Sequence, residues 1–154
     1  VSDIGPILLL NGPNLNMLGV RQPEVYGRET LSDVVALVGE TAARHGVQIV
    51  DFQSNSEEAL INRLHESLGN IAGIIINPAG FTHTSVALRD ALVIPDVPIV
   101  EVHISNVHAR EEFRRHSYVS PIATAVVAGM GTFGYVAALE FLVRLLGSQD
   151  EVAP

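Results

Sequence analysis

Five short, predominantly apolar runs rich in β-branched residues, at 7–10, 47–52, 71–76, 99–102 and 123–128, punctuate the chain. None alternates with polar residues, so strands built from them have no wet face and must be covered on both sides, as parallel strands are. Helical patterns fill most of the intervals. From Leu31, apolar residues recur at Val34, Val35, Val38 and Ala42, with Thr30 and Asp33 placed to cap the start and Gly46 to end it. A second helix starts near Ser56-Glu57-Glu58 and buries Leu60, Ile61, Leu64 and Leu68. A third starts near Thr84-Ser85 and carries Val86, Leu88, Ala91 and Leu92. A fourth piece, 109–115, is short and polar, and the last, 135–146, is strongly apolar.

Strands alternating with helices predict an α/β chain with a doubly wound, flavodoxin-like five-stranded parallel sheet and helices on both faces. Its 154 residues, 47% of them hydrophobic, suffice for one domain with a sizeable core, expected over 1–148 and followed by a disordered tail at 149–154. The polar connection 19–29 is longer than a usual βα loop and reads as a lid or binding loop containing Arg21 and Tyr26.

Three of the apolar runs end in polar tips. The first stops at Asn11-Gly-Pro-Asn14, the third at Asn77-Pro78, and the fourth at Glu101-Val-His103-Ile-Ser105-Asn106. Ligands of open α/β sheets bind beyond the carboxyl ends of the strands, so the three tips predict one shared site. Glu101 and His103 lie two apart on a strand and share a face, which lets the carboxylate orient the imidazole. The turn after His103 exposes backbone N–H groups that could hold a carboxylate. His83 and Asp90 are seven apart, about two turns along one helical face.

Composition removes whole classes of chemistry. The chain has no cysteine, and all nine of its basic Lys/Arg residues are arginine. Thiolate nucleophiles, thiolate metal sites, disulfides, Schiff bases and a P-loop lysine are therefore excluded. A formal charge of −8, with no basic cluster beyond Arg114-Arg115, argues against a nucleic-acid surface. No apolar run approaches the roughly 20 residues of a membrane span, and no secretory leader is visible, so a soluble cytoplasmic protein is expected.

Two glycine-rich stretches invite nucleotide readings. Gly129-Met-Gly131-Thr-Phe-Gly134 matches G-x-G-x-x-G between a strand and a helix, but no second strand with an acidic residue follows. A tight turn with close helix packing is the favoured reading. The stretch from Gly12 to Gly19 has the span of a phosphate loop without its lysine; Asn14 and Asn16 there could simply satisfy turn backbone. His103, His108, His116 and Glu101 offer metal donors, but not at a helical metal-binding spacing, so no metal site is expected.

Together the segments Leu10-Asn-Gly-Pro-Asn-Leu-Asn-Met-Leu-Gly19, Arg21-Gln-Pro-Glu-Val-Tyr26-Gly27, Gln53-Ser-Asn55, Asn77, Thr82-His-Thr-Ser85, Glu101-Val-His-Ile-Ser-Asn106, Arg110-Glu-Glu-Phe-Arg-Arg-His-Ser117 and Gly131 to Tyr135 resemble, in order, the type II 3-dehydroquinate dehydratases. Ser56-Glu57-Glu58-Ala59 departs from the wording usual in that family. The resemblance implies dehydration of 3-dehydroquinate to 3-dehydroshikimate through an enolate, in the shikimate pathway or quinate catabolism, without cofactor. The unrelated type I enzymes use a lysine imine, which a lysine-free chain cannot form.

The resemblance further implies that Tyr26, beside Arg21 and, with less weight, Arg110, removes the proton next to the ketone. Asn14, through a water, would stabilise the enolate, and His103, oriented by Glu101, would protonate the leaving hydroxyl. Asn77 and the backbone amides of Ile104 and Ser105 would hold the substrate carboxylate, while His83, Arg114 and Asp90 bind ring hydroxyls. The family assembles as homododecamers, tetramers of trimers, in which Asp90 would reach a neighbouring site. Two other classes compete: a non-catalytic flavodoxin-like module for a nucleotide, flavin or protein partner, and a metal-dependent hydrolase.

Overall fold

The structure, a computed structural model, describes residues 3–150. Its centre is a five-stranded sheet of β1 (Ile7–Asn11), β2 (Ile49–Gln53), β3 (Gly73–Asn77), β4 (Ile99–His103) and β5 (Ala125–Ala128), in the order β2-β1-β3-β4-β5. Every neighbouring pair is parallel, which is the flavodoxin-like arrangement expected from the predominantly apolar runs. The chain moves from β1 outward to β2, then returns past β1 to β3 and continues to β4. The point of reversal lies between β1 and β3, where loops leaving adjacent strands diverge and open a crevice.

Alternate side chains of the three central strands, β1, β3 and β4, feed two cores. Ile7, Leu9, Ile75, Val100 and Val102 pack with α2 (Leu31–Arg44) and α5 (Phe133–Asp150) through Val34, Val38, Leu139 and Leu142. Leu8, Leu10, Ile74, Ile76 and Ile99 face the other way, against α3 (Glu57–Glu66) and α4 (Val86–Leu92) through Leu60, Leu64, Leu88 and Leu92. Each such fully buried aliphatic side chain contributes roughly 1.5–3 kcal/mol, so the strands form a rigid floor. By contrast α1 (Pro23–Tyr26), within the long 19–29 connection, buries no residue and is only lightly anchored.

Local signals set the element ends. Thr30 and Asp33 form the reciprocal capping box at the start of α2. Ser56 and Ser85 accept from Ala59 and Leu88 amides at the starts of α3 and α4, so Ser85, not Thr84, is the cap. The departure at 56–59 is therefore a helix start. A Cβ on Gly12 would lie 2.5 Å from the Pro78 carbonyl oxygen. Only glycine permits the loops leaving β1 and β3 to approach this closely.

Several expectations are corrected. The connection 19–29 is not wholly loop, since Pro23 opens the four-residue α1. The piece at 109–115 is two 3-10 turns, Val107–Ala109 and Glu112–Arg115, rather than one helix. His83 ends the 3-10 turn Ala79–His83, and Thr84 breaks the chain direction before α4, so His83 and Asp90 do not share a helix. Leu68 lies beyond the end of α3 and is 57% exposed. The last helix is longer than 135–146, and most of the expected tail, 151–154, lies outside the described residues. No helix among the described residues is long and apolar enough to cross a membrane.

Candidate active site

A cleft of about 170 Å³ opens at the carboxyl ends of β1, β3 and β4, roofed by α1 and flanked by the 107–115 turns. Its walls include Asn14, Arg21, Tyr26, Asn77, His83, His103, Ile104, Ser105, Arg110 and Arg114, so ten of the twelve residues singled out in the sequence meet there. Glu101 stands behind His103, fully buried. Asp90 is outside: it is exposed and pairs with Arg89 at 2.8 Å.

Because Val100 and Val102 face the α2–α5 core, Glu101 and His103 share the opposite face of β4. Glu101 Oε2 accepts from His103 Nε2 at 2.5 Å, Thr82 Oγ1 at 2.6 Å and Ser117 Oγ at 2.9 Å, while Oε1 accepts from Ser120 Oγ at 2.5 Å. Burial alone would push this carboxyl up. The donors, led by His103, Ser120 and Thr82, outweigh it and hold the carboxyl down at about 2. An ionised Glu101 places the shared proton on His103 Nε2. Among the described residues His103 Nδ1 then has no hydrogen-bond partner yet is not sealed off, and the ring borders the cleft.

Glu101 links the site to acid stability. Its folded-state carboxyl is depressed from 4.5 to about 2, so the stabilisation is complete above pH 4.5 and lost as pH falls toward 2. Equilibrium urea unfolding across that window is expected to show a midpoint that falls with pH. A Glu101→Gln variant, lacking the titration, should show a flatter profile; equal slopes would remove Glu101 as the source.

His83 Nδ1 donates to the His116 carbonyl at 2.7 Å, which leaves Nε2 as the nitrogen free to accept from a ligand. Burial holds the imidazole below its ordinary range, partly countered by that bond and reinforced by His103 and Arg114. Its ring stacks on that of His103 with centroids 6.5 Å apart.

The lid presents Tyr26 to two arginines. Arg110 Nη1 donates to the Tyr26 hydroxyl at 2.8 Å and to Ser105 Oγ at 3.2 Å, tying the lid to the turn after β4. Arg21 lies against the Tyr26 ring, 5.4 Å from its centroid, the same distance as Arg110, but makes no hydrogen bond to the hydroxyl among the described residues. The direct donor is thus Arg110, which the sequence ranked below Arg21. Arg114 is braced by Glu111 at 2.5 Å through Nε, leaving its terminal nitrogens for the cleft.

Asn14 adopts a left-handed backbone, φ 70°, and its N–H donates to Asn55 Oδ1 at 2.9 Å, so Gln53-Ser-Asn55 braces the loop. Neither Ile104 nor Ser105 gives its backbone N–H to an acceptor among the described residues, although Ile104 is buried. Two unspent N–H groups at a strand end suit an anion. Among the described residues no group of three His, Asp or Glu side chains is arranged to hold a metal ion. The 129–134 glycines form a tight turn onto α5, where a Cβ on Gly134 would press within 3.1 Å of Val127.

Sequence reasoning assigned no role to Tyr135, Ser117 or Ser120. Tyr135 is fully buried, donates to Asn11 Oδ1 at 2.6 Å and accepts from Asn77 Nδ2 at 2.9 Å. A buried phenol needs a polar partner, and that signal was present in an otherwise apolar helix.

A family model described as dehydroquinase class II matches residues 5–143. A catabolic 3-dehydroquinase of Verticillium alfalfae is 58% identical over 146 residues, covering 95% of this chain and 97% of its own length. A 3-dehydroquinate dehydratase of Corynebacterium glutamicum is 57% identical over 142 residues, covering 92% and 98%. Among solved structures, the type II dehydroquinase of Propionibacterium acnes superposes with a TM-score of 0.88 at 42% identity, covering 93% of this chain and 99% of that one.

Proposed function

The chain belongs to the class II dehydroquinase family, and from that premise we propose how its cleft divides the labour of the reaction. The protein is a hydro-lyase that converts 3-dehydroquinate to 3-dehydroshikimate and water, a step of the shikimate pathway or of quinate breakdown. One C–H bond beside the ring ketone and one C–O bond on the next carbon break, and a C=C bond forms between those carbons. The intermediate is the enolate left when the proton departs first.

In this reading Tyr26 takes the proton as phenolate. Negative charge on its oxygen would meet the Arg110 guanidinium 2.8 Å away, with Arg21 over the ring. Asn14, through a water, stabilises the enolate oxygen where charge develops. His103 as imidazolium, its charge matched by Glu101, delivers a proton to the departing hydroxyl from the cleft floor. Base and acid thus come from different layers, lid and sheet, which suits an anti elimination. The observation that carries the reading is the buried, ionised Glu101 on His103 in the same cleft as an arginine-flanked tyrosine.

The free N–H groups of Ile104 and Ser105, with Asn77 Nδ2, receive the substrate carboxylate; His83 Nε2 and Arg114 receive ring hydroxyls. Arg114→Ala is expected to raise KM roughly 10–100-fold, the loss of a charge-assisted hydrogen bond, with a smaller effect on kcat. Steady-state kinetics with 3-dehydroquinate test this, and an unchanged KM would make Arg114 a surface cation.

Asp90 has a role in this reading only if copies associate. It lies on α4 one turn after exposed Val86 at the helix start, and Val93 and Ile94, just beyond the helix end, are about half-exposed. These apolar groups support packing of α4 against a neighbour in a dodecamer of four trimers, with Asp90 entering the neighbour's cleft. The same reading places the protein in the cytoplasm, in keeping with a chain that has no cysteine.

A further inference from the structure

We propose that Tyr135 is a positioning residue that locks the Asn77 amide with its nitrogen toward the substrate, making Asn77 a donor only. The inference rests on the reading that Asn77 meets the substrate carboxylate, and it explains how a neutral amide is made selective for an anion.

Strand periodicity creates the arrangement. Ile7 and Leu9 face the α5 core, so Asn11, two residues on, shares their side of the sheet; Ile75 places Asn77 likewise. Asn11 and Asn77 are register partners on adjacent strands. Tyr135, in the opening turns of α5, reaches both from the helix layer and does not line the cleft.

The Ala79 N–H, a fixed backbone donor, decides the sense: the Asn77 atom it meets, at 3.1 Å, is Oδ1. Nδ2 therefore faces the Tyr135 hydroxyl, at 2.9 Å, and the single phenol proton is left for Asn11 Oδ1, at 2.6 Å. A flipped Asn77 would set Oδ1 against a phenol with no proton to give and Nδ2 against an N–H. Both contacts would be repulsive. The second Nδ2 proton is what remains for a ligand, and Asn77, only 3% exposed, borders the cleft. Burial also pushes the Tyr135 phenol well above its ordinary range, so the donated proton stays in place through neutral pH.

The test is a cycle of Tyr135→Phe, Asn77→Ala and the double variant, with kcat and KM for 3-dehydroquinate and thermal unfolding measured for each. Tyr135→Phe keeps the ring and removes both bonds. It is expected to raise KM roughly 5–30-fold with kcat within about twofold of wild type. Asn77→Ala should raise KM at least as far, and Tyr135→Phe should add nothing in that background, because it acts through the amide. An unchanged KM in Tyr135→Phe, or equal factors in both backgrounds, would overturn the proposal. An unchanged KM in Asn77→Ala would instead overturn the carboxylate role of Asn77, and the proposal with it. Should Tyr135→Phe not fold, Asn11→Ala frees the phenol proton to turn toward Asn77 and removes one of the two contacts that oppose the flip; KM should rise there too, and an unchanged value counts against the lock.

Discussion

Tyr26→Phe is expected to lower kcat by roughly 10²–10⁴-fold, the range of a lost general base, while KM changes little. The substitution keeps the ring under Arg21 and deletes only the oxygen that Arg110 contacts at 2.8 Å. Substrate binding rests on other groups, at the tips of β3 and β4 and on the 112–115 turn, so the ground state should lose little. The transition state alone uses the phenolate. A kcat within tenfold of wild type would move the base elsewhere in the cleft, and a large rise in KM with kcat preserved would make Tyr26 a lid contact. Little change in melting is expected, since the half-buried ring that packs against the core is kept and the helix has no fully buried residue.

The second large effect is expected at Glu101, which no substrate atom needs to touch. All four of its side-chain partners, His103, Thr82, Ser117 and Ser120, point donors at it. Glu101→Gln preserves shape but places an NH₂ group where only acceptors fit. If the nitrogen takes the Oε1 position it faces the Ser120 hydroxyl; in the Oε2 position it faces three donors. The imidazolium also loses its counter-charge. We expect kcat to fall by roughly 10²-fold or more, together with a loss of about 1–3 kcal/mol in stability for the mispaired buried amide. Kinetics and urea unfolding on the same preparation separate the two. Wild-type kcat in a destabilised protein would reduce Glu101 to a structural carboxylate.

Much of this arrangement was legible in the sequence because parallel strands buried on both faces leave predominantly apolar runs, and because the polar residues ending them could lie only at the strand tips. Glu101 and His103 followed from period two alone. What stayed hidden has physical causes. The Pro23–Tyr26 helix is a single turn entered through Gln22 at φ 42°, too short for any hydrophobic period to show. Thr84, at φ −132° and ψ −26°, interrupts what looked like one helical face from His83 to Asp90. Ser117 lies in irregular chain and Ser120 opens the short 3-10 turn Ser120–Ile122, places where a serine is most often just surface; only the fold brings their hydroxyls onto a carboxylate 16 and 19 positions earlier. Arg110 as the direct donor to Tyr26 was hidden too, because only the fold joins the two across 84 positions of sequence.

Ultraviolet absorbance on adding 3-dehydroquinate, following formation of the conjugated enone carboxylate, decides between this chemistry and its rivals. It is run in parallel with a chelator and after borohydride treatment in the presence of substrate. An absorbance rise that survives both treatments is expected, because proton transfer by Tyr26 and His103 requires neither a metal nor an imine. No rise from folded protein, or a rise abolished by either treatment, would contradict that chemistry.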